Sequence, residues 1–342
     1  MVNILLYTTS LDIHSGGSSN LYLLFNLLKK NGINVFLCPL IRNIDSLRFQ
    51  SPFKNKTIEE ITQEEINNYY WGTPRENIVS VEILCARDNI VIYSEDVIGN
   101  PAEQKYVVRW LLFFPNLVSV NNYSFENDYI CFYSDYIFNL YDNLCKNLNI
   151  ENHLTNKISK PNILRIFHFK NNFYKDKNYK REGGSFIIRK GYPPNSFILD
   201  IIPNEQHHHY HIRNLFSSYF INEGFEQIPD GGTTHEQMVE IFNSKKTFIT
   251  HDPFTFTSII ASLCGCDSVV NKIPGVSYEE WKNSDPFNKY GVAYGIENIE
   301  EASKTRHLLE EHIYNMFLEN ESNLMNFIKD IELFFNIQVN NL

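Results

Sequence analysis

The first forty residues constrain the fold more than any other stretch. Val2–Thr8 (VNILLYT) is a continuous apolar run of strand length, the pattern of a strand covered on both faces. A glycine-bearing loop follows, Thr9–Ser19 (TSLDIHSGGSS). Asn20–Lys30 then places apolar residues at 21, 24, 25, 27 and 28. That spacing is helical, and Asn31-Gly32 supplies its stop. Val35–Leu40 reads as the next strand. Strand, glycine loop, helix and strand make a βαβ unit, the opening of a doubly wound α/β domain.

The same rhythm runs through the rest of the chain. Residues 41–75 are polar and weakly periodic, a long surface excursion. Asn89–Ser94 (NIVIYS) is a strand running into Glu95-Asp96. The spacing over Glu103–Phe114 predicts a helix, Asp128–Ser134 a strand and Asp135–Leu148 a helix. The Asn- and Lys-rich stretch 149–184 holds the domain crossover. Ser185–Ile188 opens a second strand series, followed by helix-like His211–Phe220 and a short strand over Gly224–Ile228. Thr234 and Gln237, three apart, form a capping signature for a helix over Thr234–Asn243. Thr247–Thr250 is a strand, Phe256–Leu263 a helix and Ser268–Val270 a strand. Residues 299–335 are almost wholly helical by spacing. A length of 342 residues suits two domains at roughly 150 residues each. The expected division is 1–165, 166–320, and a C-terminal helix over 321–342 returning to the first domain. Ligands of such sheets bind beyond the carboxyl ends of the strands, so two of them facing each other enclose an inter-domain cleft.

Composition removes several classes. The net charge is −10, from 30 basic and 40 acidic side chains, the reverse of the basic excess of a nucleic-acid-coating domain. The N-terminus lacks a basic start and a cleavage site. The longest apolar candidate, Trp110–Phe114, is far short of the ~20 residues of a membrane span. The expectation is a cytoplasmic protein with at most peripheral membrane contact. Six cysteines at 38, 85, 131, 145, 264 and 266 show no CxxC pair and read as small buried thiols. His207-His208-His209-Tyr210-His211 invites a metal, but no carboxylate or cysteine stands at ligand spacing. No metal site is expected. HExxH, P-loop, GxSxG and DxD motifs are absent.

Several groups carry the candidate chemistry. Gly16 and Gly17, beside His14, allow close backbone approach and a helix start that holds an anion. Arg189-Lys190, just past a strand, suits a diphosphate, with a planar fork and a point charge. Asp252, Thr255 and Thr257 lie where a strand ends and a helix begins, a phosphate-site pattern. Glu95 and Asp96 stand at a strand end as general-base candidates, with His14 as rival. Asn100 and Arg109 follow on the same side.

Asp252-Pro253-Phe254-Thr255 through Ala261-Ser262-Leu263-Cys264-Gly265-Cys266, then Ser268-Val269-Val270, resembles the C-terminal donor-site motif of glycosyltransferases with the GT-B fold, two Rossmann-like domains across a cleft. The Gly16-Gly17 loop resembles their N-terminal glycine loop. Val107-Val108-Arg109-Trp110 and Tyr290-Gly291-Val292-Ala293-Tyr294-Gly295 resemble segments of a bacterial and viral polysaccharide group. The resemblance spans nearly the whole chain. It departs at one position: many retaining members carry two Glu eight residues apart, and here Asp252 and Ile260 stand there.

The resemblance implies a nucleotide-sugar donor as substrate, no bound cofactor, and a glycan or lipid-linked acceptor. Arg189, Lys190, Thr255 and Thr257 would stabilise the leaving diphosphate. Asp230, in the strand-end loop 228–232, would meet base and ribose. Asn100 and Arg109 would lie on the acceptor side, with Glu95, Asp96 or His14 taking the acceptor proton. The rival readings are a catalytically silent scaffold on the same fold and a sugar-nucleotide epimerase.

Overall fold

Ten strands, all paired in parallel, form two five-stranded sheets among the described residues. In this computed structural model those residues are 2–8, 11, 16–39, 53, 56–70, 72–95, 97–113, 123–124, 126–139, 161–170, 172–188, 217–229, 233–273 and 275–339. The chain divides into two compact units, Met1–His168 with Leu318–Leu342, and Phe169–Phe317.

The first unit runs β1 (Ile4–Thr8), α1 (Gly16–Lys30), β2 (Val35–Pro39), α2 (Gln63–Tyr69), α3 (Val81–Ala86), β3 (Ile90–Ser94), β4 (Tyr106–Leu111) and β5 (Tyr129–Phe132). Its strand order is β2-β1-β3-β4-β5. Every residue of β1 is buried, as a strand with helices on both faces requires. α1 begins earlier than its apolar spacing indicates, so Gly16 and Gly17 are its first two residues rather than a loop before it. The polar excursion is not structureless: Thr62 caps α2, accepting from Glu65 N, and the Tyr70 hydroxyl donates 2.7 Å to Thr8 O at the end of β1.

One predicted helix is a strand. Residues 103–114 were expected to be helical, but Tyr106–Leu111 is β4 between β3 and β5. Val107, Val108, Trp110 and Leu111 are all buried. A run apolar on both faces satisfies helical spacing by chance, and only its neighbours decide. Of the helix expected over 135–148, residues 135–139 are helical and the rest lies outside the described residues.

The second unit runs β6 (Gly184–Ile187), β7 (Glu226–Gln227), α4 (His235–Ser244), β8 (Thr247–Thr250), α5 (Phe256–Leu263), β9 (Asp267–Val270), α6 (Tyr278–Ser284), β10 (Val292–Tyr294), α7 (Ile299–Thr305) and α8 (Leu309–Leu318). The Thr234–Gln237 capping box is present on α4. Neither α6 nor β10 is evident from spacing, being short. The order β10-β9-β8-β6-β7, counted from the unit's own first strand, is again second-first-third-fourth-fifth. Both units therefore share one doubly wound α/β topology, and the Rossmann-like expectation holds for each. The last helix, α9 (Asn320–Phe335), belongs to the first unit, where Leu324, Phe327, Ile328 and Ile331 join the core. Among the described residues no helix is long and apolar enough to cross a membrane.

Candidate functional site

In a sheet of this order the crevice lies beyond the carboxyl ends of the two strands where the winding reverses. Those strands are β1 and β3 in the first unit, β6 and β8 in the second.

At the first switch point stand the end of β1, the start of α1 at Gly16 and Gly17, and Glu95 one residue past β3. Gly16 is exposed, and a Cβ there would meet nothing within 4 Å, so open space adjoins this helix start. The Glu95 carboxylate is aimed by its surroundings: Oε2 accepts from Leu112 N at 3.1 Å, and the backbone oxygen accepts from the Tyr123 hydroxyl at 2.8 Å. His14 and Asp96 lie outside the described residues.

Arg109 is a correction. Arg109 is 1 % exposed. Its Nε donates to Asp128 Oδ2 at 2.8 Å, and its terminal nitrogens donate to Val97 O and Gly99 O at 3.0 and 2.6 Å. Tyr93 and Tyr123 rings lie 5.1 and 4.6 Å from the guanidinium carbon. The described part of the β3–β4 connection contains no helix, so its carbonyls need partners from elsewhere. Arg109 provides them. Its charge belongs to the scaffold and faces no acceptor. Asn100 serves the same connection: Oδ1 accepts from the Tyr93 hydroxyl at 2.8 Å, and Nδ2 donates to Gln104 O at 2.7 Å.

At the second switch point β8 ends in Thr250, and a tight turn leads into α5. Thr250 Oγ1 accepts from Asp252 N at 3.2 Å, and Asp252 Oδ1 accepts from Phe254 N at 2.9 Å. Thr255 caps α5, accepting from Thr257 N at 3.3 Å. Thr257 is buried. The turn is held from outside by a residue that spacing does not reveal. Trp281 of α6 donates its indole N–H to Pro253 O at 3.1 Å and stacks on Tyr294 of β10, ring centroids 4.9 Å apart. His251, 6 % exposed, sits at the strand end with Nδ1 3.1 Å from Asn271 Nδ2. Ile187 of β6 pairs with Thr250. Arg189 and Lys190, just beyond β6, lie outside the described residues, as do Asp230 and the His207–His211 tract.

The motif carrying the family resemblance divides between two ends of the sheet. Its first half, 250–257, is at the carboxyl edge. Cys264-Gly265-Cys266 precedes β9, at the amino edge. Gly265 has φ +89°, and a Cβ there would lie 2.3 Å from Asp176 Oδ2 and 2.5 Å from an Arg181 nitrogen. Arg181 donates to Cys264 O and Phe242 O, Arg306 to Gly265 O. Burial pushes both thiols up to about 12, as structural cysteines require. Ile260, at the departure from the retaining pattern, is 2 % exposed. Among the described residues no cluster of three or more potential metal ligands occurs.

No protein-family model matches the chain, and no curated protein is significantly similar to it. Among solved structures it is similar to T4 phage β-glucosyltransferase, with 12 % identity and a TM-score of 0.40 over 97 % of this chain and 100 % of that one. The T4 phage enzyme in complex with UDP and Mn2+ gives 12 % and 0.37 over the same shares. An NAD+-bound 3-phosphoglycerate dehydrogenase from Entamoeba histolytica gives 12 % and 0.24, covering 100 % of both chains.

Proposed function

We propose that this chain is a glycosyltransferase that moves a sugar from a nucleotide-sugar donor to a glycan, lipid-linked or other hydroxyl acceptor. One observation carries the reading: both units wind in the same order, and the residues singled out for chemistry, Glu95 and Thr250–Thr257, fall at the switch points of the two sheets. The ordered motif resemblance supports the same class.

In this reading the diphosphate lies at the start of α5, where the first N–H groups of the helix and the Thr255 hydroxyl face it. Arg189 and Lys190 are its proposed cationic partners. As the glycosidic bond breaks, its electron pair leaves with the diphosphate, and fixed dipoles and cations lower that barrier. The acceptor hydroxyl forms the new bond and loses its proton to Glu95, Asp96 or His14. The absence of a DxD triplet supports a leaving group stabilised without a metal, so EDTA is expected to leave turnover unchanged.

Thermal stabilisation against UDP, GDP, TDP and CMP and their common sugars tests this. A ligand at 100 times its dissociation constant adds about 2.7 kcal/mol, a shift of a few degrees in a chain this size. A response to one nucleotide supports the transferase and names its donor class. The burial of Ile260 favours a second reading, a silent scaffold, because that position offers no group to a ribose. A folded sample with no response to any nucleotide decides for the scaffold.

A further inference from the structure

In the first unit, residues 162–164 run parallel along β5. Phe132 N donates to Asn162 O at 2.8 Å, and Leu164 N donates to Phe132 O at 2.9 Å. That register carries Arg165 past the carboxyl end of β5, the edge at which such sheets bind ligands. The backbone there is fixed. Trp110 Nε1 donates to Leu164 O at 3.0 Å, and Asn323 Nδ2 donates to Arg165 O at 2.9 Å. Leu164 and Ile166, on either side, are fully buried.

The Arg165 side chain is 16 % exposed. Its Nε and Nη2 are buried, and among the described residues neither has a hydrogen-bond partner. These two N–H groups lie parallel on one edge of the guanidinium plane. They form the fork that grips both oxygens of a carboxylate or phosphate. The Asp135 carboxylate stands 3.6 Å from Nη2 and is 58 % exposed, beyond hydrogen-bond reach. Asp135 opens the helical residues 135–139, where the first N–H groups favour an acid by themselves. Buried donors without an acceptor cost stability. Arg109, in the same unit, places its donors on Asp128, Val97 and Gly99. Arg165 has the charge and the fork without the acceptor.

We infer that Arg165 binds an oxyanion of a ligand, a phosphate or a carboxylate, gripped side-on by Nε and Nη2 while the exposed Asp135 side chain turns into water. The site does not require that the chain transfer sugar. Resting on the proposed transfer reaction, the oxyanion belongs to the acceptor, because the donor diphosphate is assigned to α5 in the second unit.

Calorimetric titration of the full chain with inorganic phosphate and with glucuronate, each with and without saturating UDP, tests the inference. Arg165→Met removes the fork and keeps an apolar stem. Asp135→Asn removes the neighbouring negative charge at the surface, so it reads the site even where Arg165→Met fails to fold. The expected result is millimolar or tighter binding of phosphate, glucuronate or both, the tighter probe naming the oxyanion. Arg165→Met weakens that binding about tenfold or more, the effect of losing one hydrogen bond to a charged group, and Asp135→Asn tightens it. The response to UDP is unchanged in both variants. The urea midpoint of Arg165→Met is no lower than that of the natural chain, because the deleted donors had no partner. Binding of neither probe, a smaller loss in folded Arg165→Met, no gain in Asp135→Asn, a lowered urea midpoint, or a UDP response that falls with Arg165 overturns the site. A chain that binds a probe through Arg165 but responds to no nucleotide keeps the site and overturns the transferase reading alone.

Discussion

Arg109 illustrates how burial decides the use of a charge. Its guanidinium ties Asp128 to the carbonyls of Val97 and Gly99. Arg109→Ala leaves the buried Asp128 carboxylate without its cation, a loss of roughly 3–5 kcal/mol in denaturant unfolding. Arg109→Lys should recover only part of it, since a point charge cannot span the three acceptors. Unchanged stability in both variants would return Arg109 to the list of ligand-binding candidates. The paired thiols make a second test. With folded values near 12 against an ordinary 9.0, Cys264 and Cys266 should resist iodoacetamide at pH 8 until urea is added. The folded form holds these protons longer than the unfolded form. Their contribution is therefore complete below pH 9 and falls as pH rises toward 12. Rapid alkylation of the native chain would contradict their burial.

At the scale of elements, two capped helices in the second unit allow a controlled comparison. Thr234 and Gln237 cap α4 reciprocally, and Thr255 caps α5. Each Thr→Ala change should lower stability by about 1 kcal/mol, the usual value of a lost N-cap. Only Thr255→Ala should also reduce the thermal response to a nucleoside diphosphate, because only α5 starts at the proposed diphosphate site. Equal responses in the two variants would detach α5 from the ligand. The caps and most strands are legible in the sequence because their signals are local: Thr-x-x-Gln before a helix, or an apolar run between turns. β4 is not legible, because Arg109 interrupts its apolar run and the apolar residues that remain also fit helical spacing. Nor is the dependence of the Pro253 turn on Trp281, 28 residues away.

For the whole molecule, the repeated winding order predicts where a ligand acts. Hydrogen exchange with the responding nucleotide present should slow around residues 250–260 and leave the buried amides of β1 and β3 unaffected. Protection at the start of α1 and past β3 alone would assign the donor to the first unit instead. The last helix adds a feature of chain path. After the second unit ends at Phe317, α9 packs against the first, with Asn320 bridging Phe167 N and O at 3.3 and 2.9 Å.

The sequence alone determined the α/β class, the opening βαβ unit, the helix caps and the segment 250–257 at a strand end. Each is written in neighbouring residues, whose spacing and hydrogen-bonding groups act over a turn or a strand. The tertiary structure alone decided that Tyr106–Leu111 pairs as a strand, that Arg109 and Asn100 brace the β3–β4 connection, and that Cys264-Gly265-Cys266 is clamped at the amino edge by Arg181 and Arg306. In each of these the deciding partner is remote in sequence. Burial, charge pairing and sheet register are set by what packs alongside, and local spacing does not encode that.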